Sequence, residues 1–192
     1  MNSISRYILI LSPAIWLIIA LSTGCGSADV AFINEVKSFE PRWMELSERF
    51  TFVDRNLSVT EARYEADLEQ VMAFFDQADG ADQNRLNTLK ARYDKTIDER
   101  NELRKSFDEL KGSFKETVVA FNDWDNQLMK NKLPKETAAQ EFKDFKSKQQ
   151  ELVAEIENIQ GNLIQNIGKH NDQLRQMTRL LEIYTSYDIE AR

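Results

Sequence analysis

Several residue types are scarce in this sequence of 192 residues, and each shortage excludes something. A single histidine, His170, excludes a metal site built on two histidines. A single cysteine, Cys25, excludes an intramolecular disulfide. Only 6 glycines and 3 prolines are present, which favours long helices over a many-stranded sheet. Phosphate-binding loops and nucleophile-elbow motifs are missing as well. We therefore expect no catalytic residues, no cofactor and no metal.

Basic residues are outnumbered by acidic ones. The chain has 25 Lys and Arg against 32 Asp and Glu. Because phosphate and anionic lipid are bound through clustered Lys and Arg, we expect no nucleic-acid partner and no adhesion to lipid through a basic patch. The acid excess is greatest in residues 29–78, which hold 11 acids and 5 bases. This surface either attracts a basic partner or divalent cations, or simply keeps the protein soluble.

The N-terminus contains a long stretch without charge. Residues 7–21, which follow Arg6, read YILILSPAIWLIIAL. A membrane-spanning helix needs about 20 apolar residues. The shorter run is typical of the apolar region of a secretory signal peptide, here over residues 1–24. The alternative is an ordinary signal peptide or a short membrane anchor, followed by an unrelated cysteine.

The next residues, Leu21-Ser22-Thr23-Gly24-Cys25, resemble the lipobox of bacterial lipoprotein precursors, with the usual leucine one position early. The resemblance implies cleavage before Cys25 and its modification with acyl chains such as palmitate. It would also account for a lone thiol in an exported protein. Two or three acyl chains hold a protein stably on a membrane where one is marginal. Gly26 after the cysteine implies sorting to the outer membrane, on its periplasmic or surface face, if the source has two membranes.

Two interruptions divide the rest of the chain, after a tether at residues 25–29. Asp79-Gly80-Ala81-Asp82 offers a glycine for a left-handed helix end and an aspartate as the next N-cap. Asn131-Lys132-Leu133-Pro134 ends the second segment, because proline restricts the residue before it. The sequence therefore predicts helices at about 30–78, 82–131 and 135–188, with Pro41 as a candidate kink in the first.

Apolar residues recur in all three segments at alternating steps of three and four, which is the heptad spacing of coiled coils. The second segment keeps this seam from Leu86 to Leu128 without a slip, whereas the first and third each contain a four-four step, near Tyr64 and Ile167. Residues 30–192 are thus predicted to form an all-α, elongated antiparallel three-helix bundle, about 75 Å long. The alternative is a helical hairpin plus one helix completed by a partner chain.

Polar residues interrupt the three seams at one height. Antiparallel alignment about the two turns places six of them roughly level: Thr60, Tyr64, Thr96, Arg100, Asn166 and His170. Such a layer either fixes the register of the helices, at some cost in stability, or forms a small binding site or bending point. Arg100 is expected to meet a carboxylate such as Glu61 or Glu99, and Gly168 offers a place for close helix approach.

In its signal, length and number of helices the chain is similar to three-helix cell-wall-binding lipoproteins, a likeness that carries over no site residues. It implies a non-catalytic, lipid-anchored envelope protein that acts as an interaction, scaffold or spacer module with a protein or cell-wall partner. One alternative is a small-ligand or cation-binding lipoprotein that uses the polar layer or the acidic first helix. Another is self-association of the helices. Phe32 and Phe52 lie off the main seam and are candidate exposed contacts.

Overall fold

The computed structural model describes residues 30–72 and 80–190, which form three α-helices. Helix α1 spans Val30–Met72, α2 spans Gly80–Met129 and α3 spans Lys135–Glu190. Cys25, the rest of the predicted lipobox and the tether lie outside the described residues. No helix within the described ranges has an apolar stretch long enough to cross a membrane.

Contacts between the helices establish their directions. Glu35 pairs with Lys146 and Arg49 with Glu157, at sequence separations of 111 and 108 residues, so α1 and α3 run parallel. Tyr93 and Arg104 of α2 bond to Tyr64 and Asp54 of α1, so the order along one helix is reversed on the other. Thr96 and Trp124 of α2 likewise meet Asn166 and Phe142 of α3 in reverse order, and α2 is therefore antiparallel to both neighbours. The prediction of an all-α three-helix bundle is confirmed.

Helix α1 is continuous through the residue predicted as a kink. Pro41 lies inside the helix, and Phe39 and Trp43 on either side of it are buried in the same core. Burial of these two rings outweighs the loss of one backbone hydrogen bond.

The turn between α2 and α3 forms where the sequence predicts it. Asn131 adopts a left-handed conformation with a φ of 52°. Its N–H donates to the oxygen of Leu128 at 2.9 Å, and the N–H of Lys132 donates to that of Gln127 at 3.0 Å. These two bonds are the Schellman arrangement, which satisfies the last carbonyls of a helix. Pro134 then precedes the first residue of α3.

The other predicted turn differs from the structure. The sequence predicts Gly80 as the left-handed end of the first helix and Asp82 as the N-cap of the second. Instead Gly80 is the first residue of α2, and no described glycine has a positive φ. The prediction for Gly80 was wrong. The N–H groups in the first turn of a helix need no partner within the helix, so the second helix can extend toward its N-terminus as far as Gly80.

Buried seam residues form two apolar clusters. The large core draws on all three helices, with the following buried members: Val36, Phe39, Trp43, Leu46, Phe50, Val53, Leu57, Phe107, Leu110, Phe114, Phe121, Trp124, Leu128, Ala138, Phe142, Leu152, Ile156, Ile159 and Leu163. Within the part of the chain that the structure describes, the small core has four buried members: Leu86, Leu89, Tyr93 and Met177. Every predicted seam residue whose side chain is described is buried or half-buried, so the heptad pattern is confirmed there.

Aromatic rings fill one end of the large core. The Trp124 ring stacks on Phe142 with centroids 5.7 Å apart and an interplanar angle of 2°. Phe39 and Phe32 meet the same Phe142 ring edge to face, at 5.3 and 5.7 Å. Phe32 is therefore part of the packing, whereas Phe52 is 56% exposed. Of the two off-seam residues, only Phe52 is available at the surface.

Candidate functional site

The six predicted polar residues lie between the two cores. Thr60 and Tyr64 come from α1, Thr96 and Arg100 from α2, and Asn166 and His170 from α3; none is more than 7% exposed. We call these six residues the polar layer. Their burial follows from the heptad spacing, which points each of them at the bundle axis although its side chain is polar.

Asn166 joins the three helices at this level. The Tyr64 hydroxyl donates to Asn166 Oδ1 at 3.0 Å, and Asn166 Nδ2 donates to the backbone oxygen of Thr96 at 2.8 Å. One amide therefore bonds to both neighbouring helices at once. Since buried amides are costly when unpaired, this geometry favours one axial alignment of α1, α2 and α3.

His170 lies against Tyr64. The two rings are parallel within 5°, with centroids 3.7 Å apart, and the Tyr93 ring lies 5.1 Å from the imidazole. His170 Nε2 is 2.9 Å from Asp67 Oδ2, and His170 Nδ1 has no hydrogen-bond partner among the described residues. The neutral ring with its proton on Nε2 fits this arrangement, because it donates to Asp67 and leaves only an acceptor unpaired.

Burial shifts the pKa values of His170 and Tyr64 in the polar layer and of the neighbouring Tyr93. Desolvation lowers the pKa of His170, and Asp67 opposes that shift only in part. Desolvation also raises the pKa of Tyr64 to about 12 and that of Tyr93 still further. All three rings are thus neutral at pH 7, a state suited to packing and hydrogen bonding.

Arg100 is the one residue of the layer with a permanent charge. Its guanidinium Nη1 lies 3.1 Å from Glu61 Oε1, which is the predicted partner on α1. This contact is an ion pair without an aligned hydrogen bond, and Nε also has no hydrogen-bond partner among the described residues. Glu99, the other predicted partner, pairs instead with Lys169 at 2.6 Å.

Among the described residues, the two threonines of the layer make no side-chain bond to another helix. The Thr60 hydroxyl donates to backbone oxygens of its own helix at 2.8 and 2.9 Å, and Thr96 does the same at 3.1 Å. The structure thus links Tyr64, Asn166 and the Thr96 backbone by hydrogen bonds and stacks His170 on Tyr64. Arg100 and Thr60 are level with this group but stand outside its hydrogen bonds.

Sequence reasoning missed two participants. Asp67 follows Tyr64 by three residues, a spacing that places it on the same helix face beside His170. Tyr93, treated as an ordinary seam residue, donates its hydroxyl to the Tyr64 backbone oxygen at 2.8 Å. The expectation for Gly168 was wrong, because a Cβ there would have nothing within 4 Å. Gly168 is exposed, so no helix approaches it.

The acid excess of α1 is partly used within the bundle. Three of its carboxylates form ion pairs with α2 and α3: Glu35 with Lys146, Asp54 with Arg104 and Lys111, and Glu61 with Arg100. A fourth, Asp67, accepts a hydrogen bond from neutral His170. Although burial alone would raise it, the two bases beside Asp54 hold the pKa of that carboxyl below its usual value. The charge asymmetry therefore contributes to pairing α1 with the other two helices.

One carboxylate of α2 is buried beside the large core. Asp125 of α2 is 5% exposed, and its Oδ1 has no hydrogen-bond partner among the described residues. Burial raises the pKa of Asp125, opposed by Lys37, and burial followed by repulsion from Asp125 raises the pKa of Glu40. The sequence held a signal for it, since Asp125 follows Phe121 by four residues and so lies beside the seam.

A shallow groove runs between α2 and α3 near their shared turn. It encloses about 540 Å³, and both apolar and charged side chains line it, among them Trp124, Phe145, Asp123, Asp144 and Lys148. No residue of the polar layer lines this groove. Within the described ranges, no group of three or more His, Cys, Asp or Glu side chains is placed to hold a metal ion.

Comparison with protein-family models, with curated proteins and with solved structures finds no match for this chain. The function must therefore be inferred from the residues themselves. In the polar layer, the groups capable of proton transfer are buried and engaged with other helices of the bundle.

Proposed function

We propose that this protein is a non-catalytic, lipid-anchored rod of the cell envelope, which acts as an interaction or spacer module. The anchor is Cys25, and the rod is the three-helix bundle. A helix of 43 to 56 residues is about 65–85 Å long at 1.5 Å per residue. A bundle of that length can carry a contact surface well away from a membrane.

The proposal rests on the burial of the polar layer between the three helices. His170 is 0% exposed, Tyr64 is 1% exposed, and both lie between helices. A substrate or small ligand would have to separate the helices to reach them. The layer is better suited to fixing one register, as single polar residues do in coiled coils.

The direction of the rod follows from the position of Cys25. Because that residue precedes α1 by only a few positions, α1 would begin close to the membrane. The Asn131–Pro134 turn lies at the same end, since α2 runs antiparallel to α1. A distant partner would then meet the 79–82 region or the C-terminal part of α3.

Substitution of the cysteine tests the anchor. The full precursor with Cys25→Ala should lose acylation and keep residues 1–24, because the lipobox cysteine directs both the modification and the cleavage. Mass spectrometry of the N-terminal peptide and membrane fractionation are the measurements, and Ser27→Ala is the matched control. A membrane-bound wild-type protein whose N-terminal peptide carries no acyl chain on Cys25 would contradict lipid anchoring.

In-cell crosslinking tests the interaction role. A photo-reactive amino acid at exposed Arg179, near the far end of α3, should capture an envelope protein or cell-wall fragment. The same group at exposed Lys132, in the near turn, should not capture it. Capture from position 132 alone would place the partner at the wrong end. A small molecule that enters the polar layer and raises the melting temperature would instead favour the ligand-binding alternative.

A further inference from the structure

Helix α1 carries a second stripe on the side opposite its core seam. Its members follow one another at steps of three and four: Met44, Glu48, Phe52, Arg55, Val59, Ala62 and Ala66. At about 100° per residue they fall within an arc of about 80°. All seven are exposed. The outer face of a bundle helix is usually polar, yet only two of these residues are charged.

The apolar members of the stripe are large and open to solvent. Met44 is 59% exposed, Phe52 56% and Val59 58%. Among the described residues, α2 and α3 each have one comparable side chain, Val119 and Ile164. Single exposed apolar residues need no explanation, but three on one stripe form a patch typical of an interaction surface.

The two charged members flank Phe52. Glu48 precedes it by one turn and Arg55 follows it by one turn, so all three share one face. Neither Glu48 nor Arg55 has an ion-pair partner in residues 30–72 and 80–190, whereas the neighbouring Glu45 pairs with Arg49. Being seven residues apart, Glu48 and Arg55 cannot pair with each other along one helix. The stripe therefore presents one free charge of each sign on either side of an exposed ring.

We infer that this stripe binds a second copy of the same chain, with the two α1 helices antiparallel about a twofold axis between residues 51 and 52. In that arrangement Glu48 of each copy is level with Arg55 of the other, and Met44 is level with Val59. The two Phe52 rings meet beside the axis. An interface about a twofold axis must be complementary to itself, and the arrangement of charged and apolar residues on this stripe meets that requirement.

Parallel pairing of the same stripe is disfavoured by charge. It would bring Glu48 against Glu48 and Arg55 against Arg55, and like charges at close range oppose association. The pairing is also modest in size, because each copy contributes only three large apolar side chains. Interfaces of this kind are smaller than the standard size of about 800 Å² per partner, so we expect a micromolar dimer. The inference does not rest on lipidation of Cys25. Antiparallel pairing places the first residues of the two α1 helices about 65 Å apart, so copies standing upright on one membrane cannot pair in this way, and the dimer forms between copies on facing membranes or released from them.

Charge reversal gives the sharpest test. Sedimentation equilibrium of the mature chain, released from membranes into density-matched detergent, should show a monomer–dimer equilibrium. Glu48→Arg or Arg55→Glu alone should weaken dimerisation at least tenfold, and an equimolar mixture of the two variants should restore it. Glu65→Arg, an exposed site on α1 outside the stripe, is the matched control. Melting temperatures should be equal, because all three sites are exposed.

Disulfide crosslinking tests the antiparallel direction separately, in a Cys25→Ser background that has no other thiol. Phe52→Cys should form a dimer with itself. Met44→Cys and Val59→Cys should crosslink when mixed, and Val59→Cys alone should not. The inference is overturned by a chain that stays monomeric at about 100 μM, the range in which a micromolar dimer must form. It is also overturned by a dimer that mixing of the charge variants fails to restore.

Discussion

The large and small cores of the bundle differ in what fills them. The large core contains stacked and edge-to-face rings contributed by all three helices. Among the described residues, the small core has four buried members, and α1 contributes half-buried Leu68 to it. Between them the polar layer is held by hydrogen bonds to Asn166. We infer from this comparison a division of roles in which aromatic burial supplies stability and the polar layer supplies alignment.

Removal of a ring from the large core should have the largest effect. Phe142→Ala leaves a cavity beside Trp124 and should lower the free energy of unfolding by about 3–5 kcal/mol. Urea unfolding followed by circular dichroism measures it. Ile164→Ala, at a position 63% exposed, should change stability by no more than about 0.5 kcal/mol. Comparable losses in the two variants would refute the assignment of stability to the rings.

Disruption of the polar layer should cost less. Asn166→Leu keeps the volume but leaves the buried Tyr64 hydroxyl without its acceptor, and should destabilise by about 1–3 kcal/mol. Hydrogen exchange should rise in the small core as well, because its Tyr93 bonds to the backbone of Tyr64 in the layer. The control is Asn162→Ala, an exposed amide one turn earlier. An Asn166→Leu protein more stable than wild type would show that the amide contributes no net stability.

Asp125 and His170 should make the free energy of unfolding change with pH in opposite directions. The raised pKa of Asp125 means that stability is lost as pH rises from 3.8 through that pKa, whereas the lowered pKa of His170 means that stability is lost as pH falls below 6.5. Asp125→Asn should therefore gain about 1 kcal/mol at pH 7 and nothing below pH 3.8. Melting temperatures across pH measure this. Exposed Asp123→Asn should show no such gain, and a loss in Asp125→Asn at pH 7 would contradict the prediction.

Arg100→Leu should have the smallest effect. Replacement of a buried ion-pair member by an apolar residue of the seam is often neutral or stabilising, and Glu61 is exposed enough to remain hydrated. We expect a change within about 1 kcal/mol, or a gain. Lys105→Leu, at an exposed site of α2, is the control for added hydrophobicity. A loss above about 3 kcal/mol would mean that Arg100 holds an interaction its one ion pair does not account for.

Much of the fold could be predicted because helical period is a strong signal. The unbroken seam from Leu86 to Leu128 fixed both the existence and the inner face of α2. Boundaries were less predictable, since a glycine is compatible with a helix start as well as an end, as at Gly80. Pro41 was ambiguous because tertiary packing decides whether a proline ends a helix.

The level of the polar residues could be predicted, but not their bonding. Antiparallel alignment of the segments about the two turns places Tyr64 and His170 at one height. The stacking of their rings, with centroids 3.7 Å apart, depends on side-chain rotamers that the spacing does not specify. Asp67 and Asp125 were missed because a carboxylate beside the seam resembles any solvent-facing acid in sequence. Only the packing of neighbouring helices distinguishes a buried acid from an exposed one.

The polar layer is proposed to fix the register of the three-helix bundle. Distance measurements between helices test this role most directly. Spin labels at exposed Lys105 and Gln165, in a Cys25→Ser background, would report the alignment of α2 and α3. A slip of one heptad moves them by about 10 Å along the axis. We predict a single narrow distribution of distances between the two labels in the protein with an intact polar layer, and additional distances in the Asn166→Leu variant. An unchanged single distance in Asn166→Leu at undiminished stability would contradict the claim.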